Sequence, residues 1–356
     1  MSKRIAFCAD GTWDTSDNNT NVYKIFKGML SIPGVQLPRY DDGVGSSGTS
    51  IQKLLGGSMG QGLFQKIKDG YTRIADDYEA GDDIFIFGFS RGAYTARSLA
   101  GMIAVCGLPT KPHDPVLVET AFNAYRHKDK RDELLKSLAP YGMFDAKIKM
   151  VGVWDTVGSL GIPALVGGVD PLLYGFLDTS LHPDVQNAYH ALAIDEKRAE
   201  FPASLWGPAA PGQTLEQVYF CGVHCDVGGG YDDDPSTQSA LSDITLSWMV
   251  SKAQAAGLVF DPEFIAKFPS VNDPKYALDT VHESWNPKWL FPKSRTIAPN
   301  AAMANSVGIR CQEILSYRPR NLTLANGMPH PQYGVTTVVA EPQADDARTA
   351  TNAPSS

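Results

Sequence analysis

At 356 residues, 43% hydrophobic and 20% charged, the chain has ordinary globular composition and enough length for one large domain or two small ones. Its formal net charge of −8 argues against a binder of duplex nucleic acid, which needs a basic face to neutralise phosphates. The same charge gives no general attraction to an anionic membrane.

Strand-like and helix-like runs alternate along the chain. Arg4 to Ala9 reads as a first strand and Asn21 to Leu30 as a helix. Val35 to Tyr40 is a strand candidate that Pro38 interrupts. Gly62 to Tyr78 carries Leu63, Ile67, Tyr71 and Ile74 at helical spacing. Asp83 to Phe89 is a short apolar run of strand formers, and Ala93 to Ile103 reads as a helix. Lys147 to Trp154 and Val218 to Val223 read as buried strands, Tyr189 to Arg198 as a helix, and Thr237 to Ala256 as a strong helix. Such alternation predicts an α/β fold, an α/β-hydrolase-like three-layer sandwich with a mostly parallel central sheet. In such sheets, ligand groups gather at the carboxyl ends of the strands.

The junction Gly88-Phe89-Ser90-Arg91-Gly92 lies between the Asp83 strand and the following helix. Strand, G-x-S-x-G, helix is the pattern of a nucleophile elbow, which holds its serine in a strained turn above the sheet edge. The flanking glycines are needed where a Cβ would strike the adjoining strand and helix. Gly56-Gly57-Ser58-Met59-Gly60 also fits G-x-S-x-G, but no convincing strand precedes it, so Ser58 is read as a loop serine.

Asp155 ends the strand Val151–Trp154, and His224 follows the run Val218–Val223. Ser90, Asp155, His224 is the chain order of α/β-hydrolases. A serine hydroxyl needs a neutral imidazole to take its proton, and that imidazole needs a carboxylate to hold its tautomer. Rivals stay open. Asp226 could supply the carboxylate, or bind backbone amides and fix His224; His282 could be the base. An oxyanion hole would draw on the backbone N–H of Arg91 and on Gly11 or Thr12 in the loop Asp10-Gly11-Thr12-Trp13-Asp14. His190 and Arg198 are read as a buried polar or ion-pair network supporting the site. Two further patterns fail. Asp10-Gly11-Thr12 lacks the nucleophilic aspartate of a phosphatase, because Cys8 stands there. Gly43-Val44-Gly45-Ser46-Ser47-Gly48 follows the Pro38 strand without a clear βαβ unit and is read as a flexible loop.

Five scattered cysteines, an odd count, suggest reduced thiols, and Cys221-x-x-x-Cys225 lacks the second pair of a zinc site. No cofactor or metal is expected. The N-terminus runs directly into a strand without a cleavable signal pattern, and the longest apolar stretch, near Leu160 to Leu177, is broken by glycine, proline and Asp170. This predicts a soluble protein made in the cytoplasm, with signal-less export left open. Residues 157–182 form an apolar insertion, read either as a core excursion or as an acyl-binding wall. Residues 338–356 are polar and predicted disordered. One catalytic domain is expected over residues 1–337.

Several pieces together resemble an uncharacterised α/β-hydrolase family that includes the catalytic domains of type VI secretion phospholipase effectors. They are Asp10–Trp13, Thr20-Asn21-Val22, Gly43-Val44-Gly45, Gly88–Ala93, Trp154–Gly158, His190–Glu196 and Gly222–Gly229. The resemblance implies a nucleophile at Ser90, an acid at Asp155, a base at His224, and ester hydrolysis with phospholipid as a substrate for some members. The expected partners are an ester or phospholipid substrate and a transient membrane surface, with no nucleic acid and protein partners open. Two other classes are carried: a non-catalytic binding protein on a hydrolase fold, and a metal phosphohydrolase using Asp10, Asp155, His224 and Asp226.

Overall fold

A computed structural model of the chain describes residues 2–11, 19–42, 58–157, 179–233, 239–267, 274–287, 289 and 291–337. The described strands are β1 (Arg4–Ala9), β2 (Gln36–Asp41), β3 (Asp83–Phe89), β4 (Leu108–Pro109), β5 (Met143–Phe144), β6 (Ile148–Trp154), β7 (Val185–Ala193), β8 (Thr214–Phe220), β9 (Ala302–Ala304), β10 (Leu324–Ala325), β11 (Met328–Pro329) and β12 (Gly334–Thr336). Eight of them form one sheet in the order β12-β9-β8-β7-β6-β3-β1-β2. Every neighbouring pair in it is parallel.

Side chains of a strand alternate between faces, and here both faces are covered. Ile84 and Ile86 of β3 enter a core with helices α2 (Ser58–Asp77), α3 (Ser90–Cys106) and α4 (Pro115–Arg126). Phe85, Phe87 and Phe89 enter the opposite core with α1 (Asn21–Gly28) and the helix Leu241–Ala255. Helix, sheet, helix is the three-layer α/β-hydrolase-like arrangement that the alternating pattern predicts.

Four expectations are corrected. Tyr189 to Ala193 lies in β7, not in a helix. The run is wholly buried between β6 and β8, and a short apolar run rich in Ala and Leu has no period to separate strand from helix. Pro38 does not break β2: the strand is at the sheet edge, pairs only with β1, and so tolerates a residue with no N–H. β8 runs from Thr214 to Phe220, earlier than Val218–Val223, because its polar start is only partly buried. Ser58 opens α2 instead of sitting in a loop. Gly43–Gly48, most of the 157–182 insertion and the 338–356 tail lie outside the described residues. Among the described residues, no helix is long and apolar enough to cross a membrane.

Candidate active site

β3 ends at Phe89 and α3 begins at Ser90, with no residue between them. So abrupt a reversal puts Ser90 at φ 58°, a left-handed conformation uncommon for any residue with a Cβ. The glycines answer to space. A Cβ on Gly88 would strike the carbonyl of Gly92, and one on Gly92 would strike the carbonyls of Ala9 and Asp10 at the end of β1. The elbow therefore closes directly onto the neighbouring strand.

Asp155 is built the same way on the adjacent strand. Phe89 of β3 and Trp154 of β6 are register partners, so Ser90 and Asp155 leave the sheet side by side. Asp155 also has a left-handed backbone, φ 40°. Its carboxylate is wholly buried and fully occupied. Oδ1 accepts from the Ala193 N–H at 3.0 Å and from Arg295 Nη1 at 2.6 Å. Oδ2 accepts from Arg295 Nη2 at 2.9 Å and lies 2.6 Å from His224 Nδ1. Burial opposes ionisation of Asp155, but the Arg295 guanidinium and these hydrogen bonds outweigh it and hold its carboxyl well below the usual carboxylate range.

His224 opens a one-turn helix, His224–Gly228, four residues past the end of β8. Its ring packs on that of Phe89, centroids 4.6 Å apart, and meets the edge of Phe201 at 5.2 Å. The imidazole is thus held against the residue that precedes Ser90. Gly228 makes this packing fit, since a Cβ there would overlap the Phe89 ring. Asn21, wholly buried, donates from Nδ2 to the Val227 carbonyl at 3.1 Å and to the Ser242 carbonyl at 2.9 Å, tying α1 to the His224 turn. Burial draws the imidazole below its ordinary 6.5, and the bond to Asp155 opposes this only in part. With Asp155 on Nδ1, the neutral ring keeps its proton there and leaves the Nε2 lone pair as a proton acceptor.

The rival carboxylate has another partner. Asp226 accepts from the Val223 N–H at 2.9 Å and the His282 N–H at 3.1 Å, and its Oδ1 lies 2.6 Å from His282 Nδ1. It binds backbone amides as one reading allowed, but the histidine it fixes is His282, not His224. Tyr231 stacks on the His282 ring at 3.9 Å.

Around this centre, Glu196 accepts the His224 N–H at 3.3 Å, the Ser284 hydroxyl and three nitrogens of Arg198. Burial opposes ionisation of Glu196, yet Arg198 pulls it down to about 2. His190 is buried in β7 and accepts the Thr156 N–H at 3.0 Å; burial and Arg97 push it down to about 3, so it acts as a neutral acceptor. His190 and Arg198 are thus parts of the supporting network, as the sequence suggested. Asp10 accepts the Gly11 N–H at 2.8 Å, the Thr20 hydroxyl at 2.6 Å and the Tyr40 hydroxyl at 2.7 Å. Arg91 lies in the first turn of α3, and Thr12 lies outside the described residues. Asp10, Asp155, His224 and Asp226 are not one donor set: among the described residues no group of three or more His, Cys, Asp or Glu is gathered to hold a metal ion.

Sequence reasoning missed Arg295. It sits in a polar stretch with no motif, 140 residues from Asp155. Glu196 and Asn21 lay inside quoted pieces without an assigned role.

The model of the family described as "T6SS, Phospholipase effector Tle1-like, catalytic domain" matches residues 3–252, a span that holds Ser90, Asp155 and His224. An uncharacterised protein of Saccharomyces cerevisiae is 28% identical over 246 residues, 62% of this chain and 35% of that protein, so the chain spans about a third of that relative. The solved structure of the Tle1 effector bound to the VgrG spike of the type 6 secretion system is 14% identical, covers 81% of this chain and 82% of that one, and has a TM-score of 0.48. An uncharacterised protein from Pseudomonas aeruginosa is 17% identical, covers 78% of this chain and 50% of that one, and has the same TM-score of 0.48. On the family match, which takes in most of its length, the chain belongs to the type VI secretion Tle1-like phospholipase effector catalytic-domain family of hydrolases.

Proposed function

We propose that the protein is a serine hydrolase that cleaves carboxylic esters of lipids, phospholipids included, with Ser90 as nucleophile, His224 as base and Asp155 as its orienting carboxylate. Ser90 Oγ attacks the acyl carbonyl while its proton passes to His224 Nε2. The imidazolium is stabilised by Asp155, itself kept ionised by Arg295. The oxyanion accepts from the Arg91 N–H and from that of Gly11 or Thr12. The Gly11 N–H also donates to Asp10. Collapse breaks the ester C–O bond, and the leaving alcohol takes the proton from His224. Water, deprotonated by the same imidazole, then releases the fatty acid from Ser90.

The observation that carries this reading is the pair of strained junctions on neighbouring strands: Ser90 at φ 58° and Asp155 at φ 40°, with the His224 ring held between Asp155 and Phe89. Strain of this kind persists where the surrounding structure holds it, and it concentrates at functional sites. We read residues 1–337 as one catalytic domain, because β12, at Gly334–Thr336, still pairs into the central sheet. The test is a panel of phospholipids and short acyl esters run on wild type and Ser90→Ala. The expected result is hydrolysis by wild type and a loss of about four to six orders of magnitude in the variant. Equal turnover by both would reject the mechanism.

A further inference from the structure

Arg97 lies on α3, two helical turns past Ser90, and is only 4% exposed. A guanidinium does not give up its proton in a protein, so a buried one needs its charge met. Arg295 is buried to a similar degree and is met by Asp155. Among the described residues Arg97 has no such counterpart. Its Nη1 donates to the Ser204 carbonyl, its Nη2 reaches the Leu205 carbonyl at 3.5 Å, and its plane lies 4.2 Å from the Trp206 ring centre. Its Nε is buried without an acceptor. Burial draws Arg97 down to about 10, opposed by the phenols of Tyr125 and Tyr94.

This side chain forms a wall of a cavity of about 150 Å³. Lys128, Arg131 and His182 also line the cavity, and among its described lining residues none is acidic. Arg131 spends Nε and Nη2 on the carbonyls of Ala124 and Tyr125, at 3.1 and 2.9 Å, so these hydrogen bonds leave its charge in place. His182 Nδ1 lies 3.5 Å from the Asp184 carboxylate. Much of the remaining wall is apolar, with Val105, Val151 and Val185 facing the same space. Lys128 and Ser180 are exposed, so the cavity opens to solvent beside them.

We propose that this cavity binds a small amphipathic organic anion: a monocarboxylate on a short alkyl chain. Its carboxylate lies against the Arg97 guanidinium, with Arg131 on the same wall. Its alkyl part lies along Val105, Val151 and Val185. The size limit follows from the volume, since a cavity of about 150 Å³ takes an apolar group of roughly benzene size. The site is separate from Ser90, Asp155 and His224, and the inference holds whether or not those residues hydrolyse esters.

Calorimetric titration of the full chain with sodium hexanoate, 1-hexanol and inorganic phosphate tests it. One hexanoate site is expected, with hexanol and phosphate each about tenfold weaker or more. Val105→Phe, which fills the cavity and leaves Arg97 untouched, and Arg97→Gln should each weaken hexanoate by about tenfold or more while thermal melts report folding. Because Arg97→Gln risks misfolding, the wild-type ligand series and Val105→Phe stand without it. No hexanoate binding by wild type, hexanol or phosphate binding as tightly, or unchanged binding in folded Val105→Phe would each overturn the proposal.

Discussion

Two histidine–aspartate pairs stand within a few residues of each other, and they share one contact. Nδ1 lies 2.6 Å from a carboxylate oxygen in both His224–Asp155 and His282–Asp226. Their surroundings differ. Asp155 has a buried guanidinium and a carboxyl held well below the usual range, whereas burial raises Asp226 and its hydrogen bonds offset this only in part. The His224 ring is enclosed by Phe89 and Phe201; the His282 side chain is 35% exposed and capped by Tyr231. Asp226 Oδ2 accepts from the backbone amides of both Val223 and His282, and so ties two loops together. A His–Asp contact alone therefore identifies no base. What separates the pairs is packing against the strand that leads into Ser90 and a counter-ion that keeps the carboxylate charged.

The sharpest way to break the comparison is to remove each imidazole. His224→Ala should lower kcat on a phospholipid or short ester by about five to six orders of magnitude, and His282→Ala by less than about tenfold. Steady-state assays of the two variants decide this, and equal losses would erase the distinction. Next come the carboxylates. Asp155→Asn should cost about four orders of magnitude in kcat through the wrong imidazole tautomer. Asp226→Asn should leave kcat within about tenfold but destabilise the fold by about 1–3 kcal/mol, read from denaturant titration, through its buried amide contacts.

Arg295→Met sharpens the electrostatic half of the comparison. It leaves Asp155 buried without its cation, a loss of about 3–5 kcal/mol of stability. It also lets the Asp155 carboxyl titrate upward, so the acid limb of kcat/KM should move to higher pH. The smallest effect expected concerns the wild-type pH profile. The folded environment lowers the pKa of His224 below 6.5, so the neutral, basic form survives to lower pH than in a free histidine. The acid limb of kcat/KM should have its midpoint below 6.5, and His282→Ala should not move it.

Much of this was legible because it is local. The apolar run Asp83–Phe89, the two glycines and the helix after them define the elbow to the residue, and Asp155 is marked by the strand it ends. The piece Gly222–Gly229 carries His224, although the strand before it ends earlier, at Phe220. What stayed hidden is long-range. Arg295 meets Asp155 across 140 residues, and His282 meets Asp226 across 56, with no periodic signal to announce either. β7 was misread because a strand buried on both faces shows neither alternation nor a polar face, so Tyr189–Ala193 looks as much like a helix as a strand.

The central claim is that Ser90 is activated by His224 and not by His282. Labelling with a fluorophosphonate, followed by mass-spectrometric mapping of the adduct, tests it most directly. A phosphonylated Ser90 is expected in wild type and in His282→Ala at similar rates, and no adduct in folded His224→Ala. An adduct on another residue, no adduct in active wild type, or labelling that survives in His224→Ala and disappears in His282→Ala would contradict it.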